Sequence, residues 1–142
     1  MSTKEQKIGE IVAEHHRKEG ALLPILHAVQ AEFGCVDAES EALVAKGLNL
    51  SRADVHGVVS FYHDFHDQPD LRPVVQICRA EACKARGVEA IMDEATAAAG
   101  DRVKLATVYC LGLCSSGPSA RVGDRLHARL DGPKLAEIIE NA

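Results

Sequence analysis

The chain has 142 residues, with 16 Lys+Arg against 21 Asp+Glu, for a formal net charge of -5. Apolar residues make up 46% and charged residues 26%, an ordinary globular balance that excludes wholesale disorder. Aromatics are only 4% and Trp is absent, so an acidic chain with few stacking surfaces is a poor nucleic-acid binder. The charge is uneven. Residues 1–70 hold 6 basic and 12 acidic side chains, residues 71–142 hold 10 and 9. No apolar run approaches the roughly 20 residues of a membrane span, which predicts no membrane insertion. The polar start MSTKEQKIGE lacks an apolar signal core, and a cytoplasmic address is expected.

The first half reads as four helices. Ile8, Ile11 and Val12 share one face at i, i+3, i+4. Pro24 suits the first turn of a second helix, Leu26, Val29 and Phe33 form its stripe, and Gly34 ends it. A third helix is expected over Glu39–Lys46, stopped by Gly47. Ser51-Arg52-Ala53-Asp54 has capping-box spacing, and Val55, Val59 and Tyr62 continue a fourth helix that also carries His63 and His66. His56, His63 and His66 invite a metal reading, but nothing completes a shell, and polar-face or partner-contact residues are the simpler reading. His15 and His16 read as a solvated helix end and His27 as a core or boundary residue. The segment from His66 to Pro73, with two prolines and no periodicity, reads as a linker. It divides a helical bundle at 1–66 from a second domain at 73–142.

The second half alternates strand and helix. Val74–Ile77 is a β-branched run ending at Cys78. Val88, Ile91, Met92 and Ala95 give a helical stripe closed by Gly100. Val103, Leu105, Thr107 and Tyr109 alternate toward Cys110. Ala120 and Val122, then Leu126, Ala128 and Leu130, form a hairpin about Gly123-Asp124. Asp131 caps a last helix with Pro133 in its first turn and Leu135, Ile138 and Ile139 on its buried face. The order β-α-β-β-β-α makes the first two strands parallel, because a crossover helix joins them. The fold class is α/β, a thioredoxin-like domain behind a four-helix segment.

Five Cys without a secretory signal point to metal or redox chemistry and away from disulfides. Four form two pairs, Cys78-x4-Cys83 and Cys110-x3-Cys114, each opening at a strand end. Parallel strands would bring both pairs to one sheet edge, as a [2Fe-2S] core requires with two Cys per iron. A zinc site with four Cys is allowed, although zinc knuckles favour tighter pairs. Four unrelated buried thiols are the bland alternative. The absence of C-x-x-C disfavours a dithiol redox enzyme. Arg79, Lys84 and Arg86 flank the first pair and would favour a reduced, more negative cluster. Gly112 and Gly117 leave room for backbone N–H groups beside sulfur. Cys35 stands apart and reads as structural.

This pattern resembles the thioredoxin-like [2Fe-2S] ferredoxin family, including the small flavin-module subunit of complex I and its counterparts in NAD-linked hydrogenases and formate dehydrogenases. The resemblance covers nearly the whole chain, including Gly20-Ala21-Leu22-Leu23-Pro24-Ile25-Leu26-His27 in the helical half. The segments Val55–Phe65, Cys78-Arg79-Ala80-Glu81-Ala82-Cys83 and Tyr109-Cys110-Leu111-Gly112-Leu113-Cys114 are similar to gamma subunits of soluble NAD-dependent formate dehydrogenases. Ser115-Ser116-Gly117 departs from the Ala-Cys-Gly or Ala-Cys-Ala common in relatives, and the interval from Cys83 to Cys110 is short. The resemblance implies one [2Fe-2S] cluster on Cys78, Cys83, Cys110 and Cys114. It implies a non-catalytic electron-transfer subunit beside an FMN/NAD-binding beta subunit, with a molybdenum or tungsten pterin in a large alpha subunit. The chain has no nucleophile–base pair, P-loop or dinucleotide fingerprint of its own. The equivalent subunit of complex I or of a hydrogenase is the alternative within the family, and a zinc-stabilised interaction module is the remoter one.

Overall fold

The computed structural model describes residues 2–142. The chain divides into two compact units, one ending at Leu71 and the other running Arg72–Ala142.

The first unit holds α1 (Thr3–His15), α2 (Leu22–Phe33), α3 (Ala38–Leu48) and α4 (Arg52–Phe61). Two capping boxes start helices: Ser2 with Glu5 on α1 and Ser51 with Asp54 on α4. Each satisfies two backbone donors that a helix start leaves open. Ile8, Val12, Ile25, Leu26, Val29, Val44, Val55 and Val59 form an aliphatic core. Gly34 ends α2 at φ 79, the left-handed conformation that an unbranched glycine adopts without steric cost.

Three expectations need correction here. Gly47 does not end α3. The helix continues to Leu48 and stops at Asn49, at φ 56. Gly47 serves close packing instead, since a Cβ there would meet Val12 Cγ1 at 3.1 Å and Cγ2 at 3.2 Å. Tyr62 lies outside α4, at its C-cap with extended backbone, so His63 and His66 share no helix with His56. His27 is exposed, with its ring 4.8 Å from that of Phe65.

The second unit holds β1 (Val74–Cys78), α5 (Glu81–Ala85), α6 (Val88–Ala99), β2 (Lys104–Val108), a 3-10 turn (Cys114–Ser116), β3 (Ala120–Val122), β4 (Arg125–His127) and α7 (Gly132–Glu140). The sheet order is β2-β1-β3-β4. β1 runs parallel to β2, with Val75 opposite Leu105 and Cys78 opposite Val108, and antiparallel to β3. β3 and β4 form the expected hairpin. Val75, Ile77, Val88, Ala95, Ala99, Leu135 and Ile139 pack into one core between sheet and helices. Tyr109 lies beyond β2 and is 75% exposed, so the alternation read there ends one residue early. Ala128 and Leu130 likewise lie beyond β4, and Leu130 is buried as part of the core. The five-residue α5 and the 3-10 turn were not expected. Both are too short for a hydrophobic period to register.

Candidate metal centre

Parallel pairing delivers the cysteines. Cys78 ends β1 opposite Val108, and Cys110 follows two residues later. The Cys110 N–H donates to Cys78 Sγ at 3.3 Å. Cys110 stands at φ 93, and the Gly112 N–H turns back to Cys110 Sγ at 3.3 Å. The glycine sits at φ 79, where a Cβ would be strained. Cys114 opens the 3-10 turn with its Sγ 3.5 Å from that of Cys110. Cys83 is carried inward by α5, where it also contacts Cys78. The 114–119 loop is tied down by N–H donation from Arg129 to the Ser116 carbonyl at 2.7 Å and from Leu130 to the Pro118 carbonyl at 3.1 Å. The Cys78 N–H donates to the Ser119 carbonyl at 3.0 Å.

The four thiols are unequal. Cys78 and Cys83 are buried, whereas Cys110 and Cys114 are exposed. Burial pushes the Cys78 thiol up, but backbone donors from Ala80, Cys110 and Leu111 and the Cys83 thiol outweigh it, and the net shift is downward. Burial pushes Cys83 up, and its neighbour Cys78 adds to this, while Ser119 opposes both. Cys114 is raised by the adjacent Cys110 thiol. One sulfur is thus prepared to carry negative charge by several N–H groups, a pattern suited to a metal thiolate.

The residues fit an iron–sulfur core on two further counts. Gly117 leaves space that a side chain would fill: a Cβ there would lie 2.9 Å from Cys83 Sγ and 3.3 Å from Arg86 Cδ. The thiols also lie as contacting pairs, Cys78 with Cys83 and Cys110 with Cys114. Among the described residues no three His, Cys, Asp or Glu side chains converge on one ion-sized point. Two contacting pairs are the donor set that a two-iron core takes, two thiolates to each iron.

Two of the three flanking cations are paired with carboxylates. Arg79 makes a bidentate pair with Glu89 at 2.9 and 2.5 Å, which holds that carboxyl below its ordinary range. Lys84 lies 3.8 Å from Glu81. Their net field at the thiols is therefore weaker than three free charges would give. Ser119 was missed by sequence reasoning. Its hydroxyl is buried 3.7 Å from Cys83 Sγ, and a Ser after Gly-Pro carries no signal beyond that of a turn. Among the described residues the histidines join no group of three metal-ligating side chains, and His56 Nδ1 pairs with both Glu41 oxygens at 3.1 Å. Cys35 is buried in the first unit, away in sequence from the other four. No helix among the described residues is long and apolar enough to cross a membrane.

The chain is 30% identical over 148 residues to an NADH-quinone oxidoreductase subunit of Rhizobium meliloti (strain 1021), covering 98% of this chain and 88% of the relative. It is 27% identical to the NADP-reducing hydrogenase subunit HndA of Solidesulfovibrio fructosivorans, covering 94% and 84%. A crystal structure of an NAD+-reducing [NiFe]-hydrogenase in the air-oxidized state superposes with a TM-score of 0.69 at 25% identity. That match covers 84% of this chain and 22% of the hydrogenase chain. The family model for thioredoxin-like [2Fe-2S] ferredoxins matches residues 8–142. Fold, paired thiols and this match agree, and the chain belongs to the thioredoxin-like [2Fe-2S] ferredoxin family.

Proposed function

We propose that this chain carries one [2Fe-2S] cluster on Cys78, Cys83, Cys110 and Cys114 and serves as an electron-transfer subunit of an NAD-linked oxidoreductase complex. The observation that carries the reading is the meeting of the two cysteine loops, with the Cys110 N–H on Cys78 Sγ and Cys114 3.5 Å from Cys110. When bound, the cluster supplies a one-electron relay between a partner's flavin and the next centre. The chain's own residues hold and insulate it. Cys78 and Cys83, both buried, and Cys110 and Cys114, both exposed, would hold it, and backbone N–H groups would offset thiolate charge. No catalytic residue is assigned to this chain.

The parent complex we favour is a cytoplasmic NAD-dependent formate dehydrogenase, oxidising formate to CO2 and reducing NAD+ to NADH. Its FMN/NAD-binding beta subunit would dock beside this chain, and its alpha subunit would hold a molybdenum or tungsten pterin. The support is the similarity of Val55–Phe65, Cys78–Cys83 and Tyr109–Cys114 to the gamma subunits of that group, at positions such as His63, Arg79 and Glu81 that cluster binding does not require. The relatives found in complex I and in a hydrogenase support the equivalent subunit of those assemblies as the second reading. Residues 1–66 are proposed as the docking bundle, with Phe61 73% exposed and edge-on to Tyr62 as its anchor.

Affinity purification through a tag on this chain tests both levels. The isolated chain should hold two irons and two labile sulfides and give an S = 1/2 EPR signal with dithionite. Stoichiometric zinc in place of iron, from iron-replete cells, refutes the cluster. The co-purified assembly should reduce NAD with formate. Recovery with quinone-linked membrane subunits or a nickel–iron subunit moves the chain to complex I or hydrogenase.

A further inference from the structure

Ser119 is 1% exposed, and its Oγ lies 3.7 Å from Cys83 Sγ, itself 2% exposed. The Ser119 backbone is directed at the same sulfur. In the metal-free thiol either atom can donate. A cysteine sulfur bound to iron has no proton, so the hydroxyl alone can then donate. Hydrogen bonds to a cluster's sulfurs offset the charge gained on reduction, and the effect is larger where water is excluded. Two of the three flanking cations, Arg79 and Lys84, face carboxylates.

We propose that the Ser119 hydroxyl donates to the Cys83 thiolate and sets the cluster's reduction potential upward, as a positioning and tuning residue with no part in holding iron. This rests on the assignment of Cys83 as a ligand. Oxidation and reduction here move one electron, and no bond to the protein forms or breaks.

The test is a potentiometric EPR titration of the full, iron-loaded chain, with iron content measured alongside. Ser119→Ala removes the hydroxyl and keeps the backbone N–H. We expect iron content to hold and the reduction equilibrium constant to fall about tenfold, a shift of about 59 mV for a one-electron couple. Ser119→Thr keeps a hydroxyl and should stay near the unsubstituted potential. Ser119→Gly should match Ser119→Ala. An unchanged potential in the Ala and Gly variants overturns the proposal. So does an equal fall in the Thr variant, which would indicate packing. Iron loss in both Ala and Gly variants overturns it as well, because the hydroxyl would then be holding the loop. An unsubstituted chain with no [2Fe-2S] signal removes the ligand assignment itself, and is told apart from these outcomes before any variant is made.

Discussion

Gly117→Ala isolates the fit between the second cysteine loop and the buried thiol of the first. Gly117 has φ -69 and ψ 167, a conformation open to any residue, so the substitution adds no backbone strain. What it adds is a methyl group 2.9 Å from Cys83 Sγ, 3.3 Å from Arg86 Cδ and 3.5 Å from Cys83 Cα. Ordinary contact begins at about 3.4 Å, so the sulfur or the loop must move by about 0.5 Å. Arg86 can swing its exposed side chain aside. Cys83 cannot, because it is 2% exposed and packed in the core beside Cys78. Overpacking of this kind costs about 1–3 kcal/mol. For a unit of this size each kcal/mol lowers Tm by about 4–8 °C. Thermal unfolding of the iron-free chain should therefore show a drop of at least about 4 °C in the second unit. After reconstitution the variant should hold less iron than the unsubstituted chain. If it melts with the unsubstituted protein and loads iron equally, the close approach of Gly117 to Cys83 is not what shapes this site.

Serine at Cys78, Cys83, Cys110 or Cys114 should each impair iron loading, since a hydroxyl is a poorer iron donor than a thiolate, while Cys35→Ser should leave iron content intact; iron analysis and the EPR signal decide. Gly57 lies exposed inside α4 with nothing within 4 Å of its would-be Cβ. Gly57→Ala should therefore stabilise the helical unit by about 0.5–1 kcal/mol in denaturant unfolding, without touching the cluster. Asp37 accepts from Lys4 Nζ at 2.7 and 2.9 Å, and with the Ser40 N–H this lowers its carboxyl from 3.8 to about 2. A lowered folded value means stability that is full above about pH 4 and fades as pH falls through about 2. Asp37 is partly exposed, so solvent screening discounts the contribution to about 1 kcal/mol. Asp37→Asn keeps a capping oxygen and should cost about that amount at pH 7, with the difference closing below pH 2.

The helices were legible because their signals are local. Ser51 and Asp54 sit at capping spacing and make both hydrogen bonds of the box, at 3.0 and 3.3 Å. Val55 and Val59 then fall on the buried face. The readings that failed depended on partners far along the chain. Gly47 looks like a helix stop in isolation, but its neighbour is Val12, 35 positions away, and the helix needs the missing Cβ to seat against it. The continuation of α4 through Tyr62 to His66 failed for the same reason. The backbone leaves the helix there, and Val36 N–H donates to the His66 carbonyl at 2.7 Å.

The centre divides along the same line. The candidate centre's thiol pairs, Cys78 with Cys83 and Cys110 with Cys114, were legible because each pair follows a strand end. Its electrostatics were not. Arg79, Lys84 and Arg86 read as a positive surround, yet two of the three, Arg79 and Lys84, pair with Glu89 and Glu81. Sequence spacing could hint at these pairs but could not weigh them. The groups that do face sulfur are backbone N–H donors of Ala80, Cys110, Leu111 and Gly112, which any residue but proline supplies, and one serine hydroxyl. Side-chain identity carries no record of the first kind. If Cys78, Cys83, Cys110 and Cys114 hold the proposed cluster, its potential is expected to follow loop conformation more than the paired charges of Arg79 and Lys84. Neutralising Arg79 should for that reason move it less than removing the hydroxyl of Ser119. The guanidinium is half-exposed, screened by solvent and already paired, whereas the hydroxyl acts at hydrogen-bond range inside the core. Potentiometric titration of Arg79→Gln against Ser119→Ala ranks the two, and a larger shift from the arginine would refute that ordering.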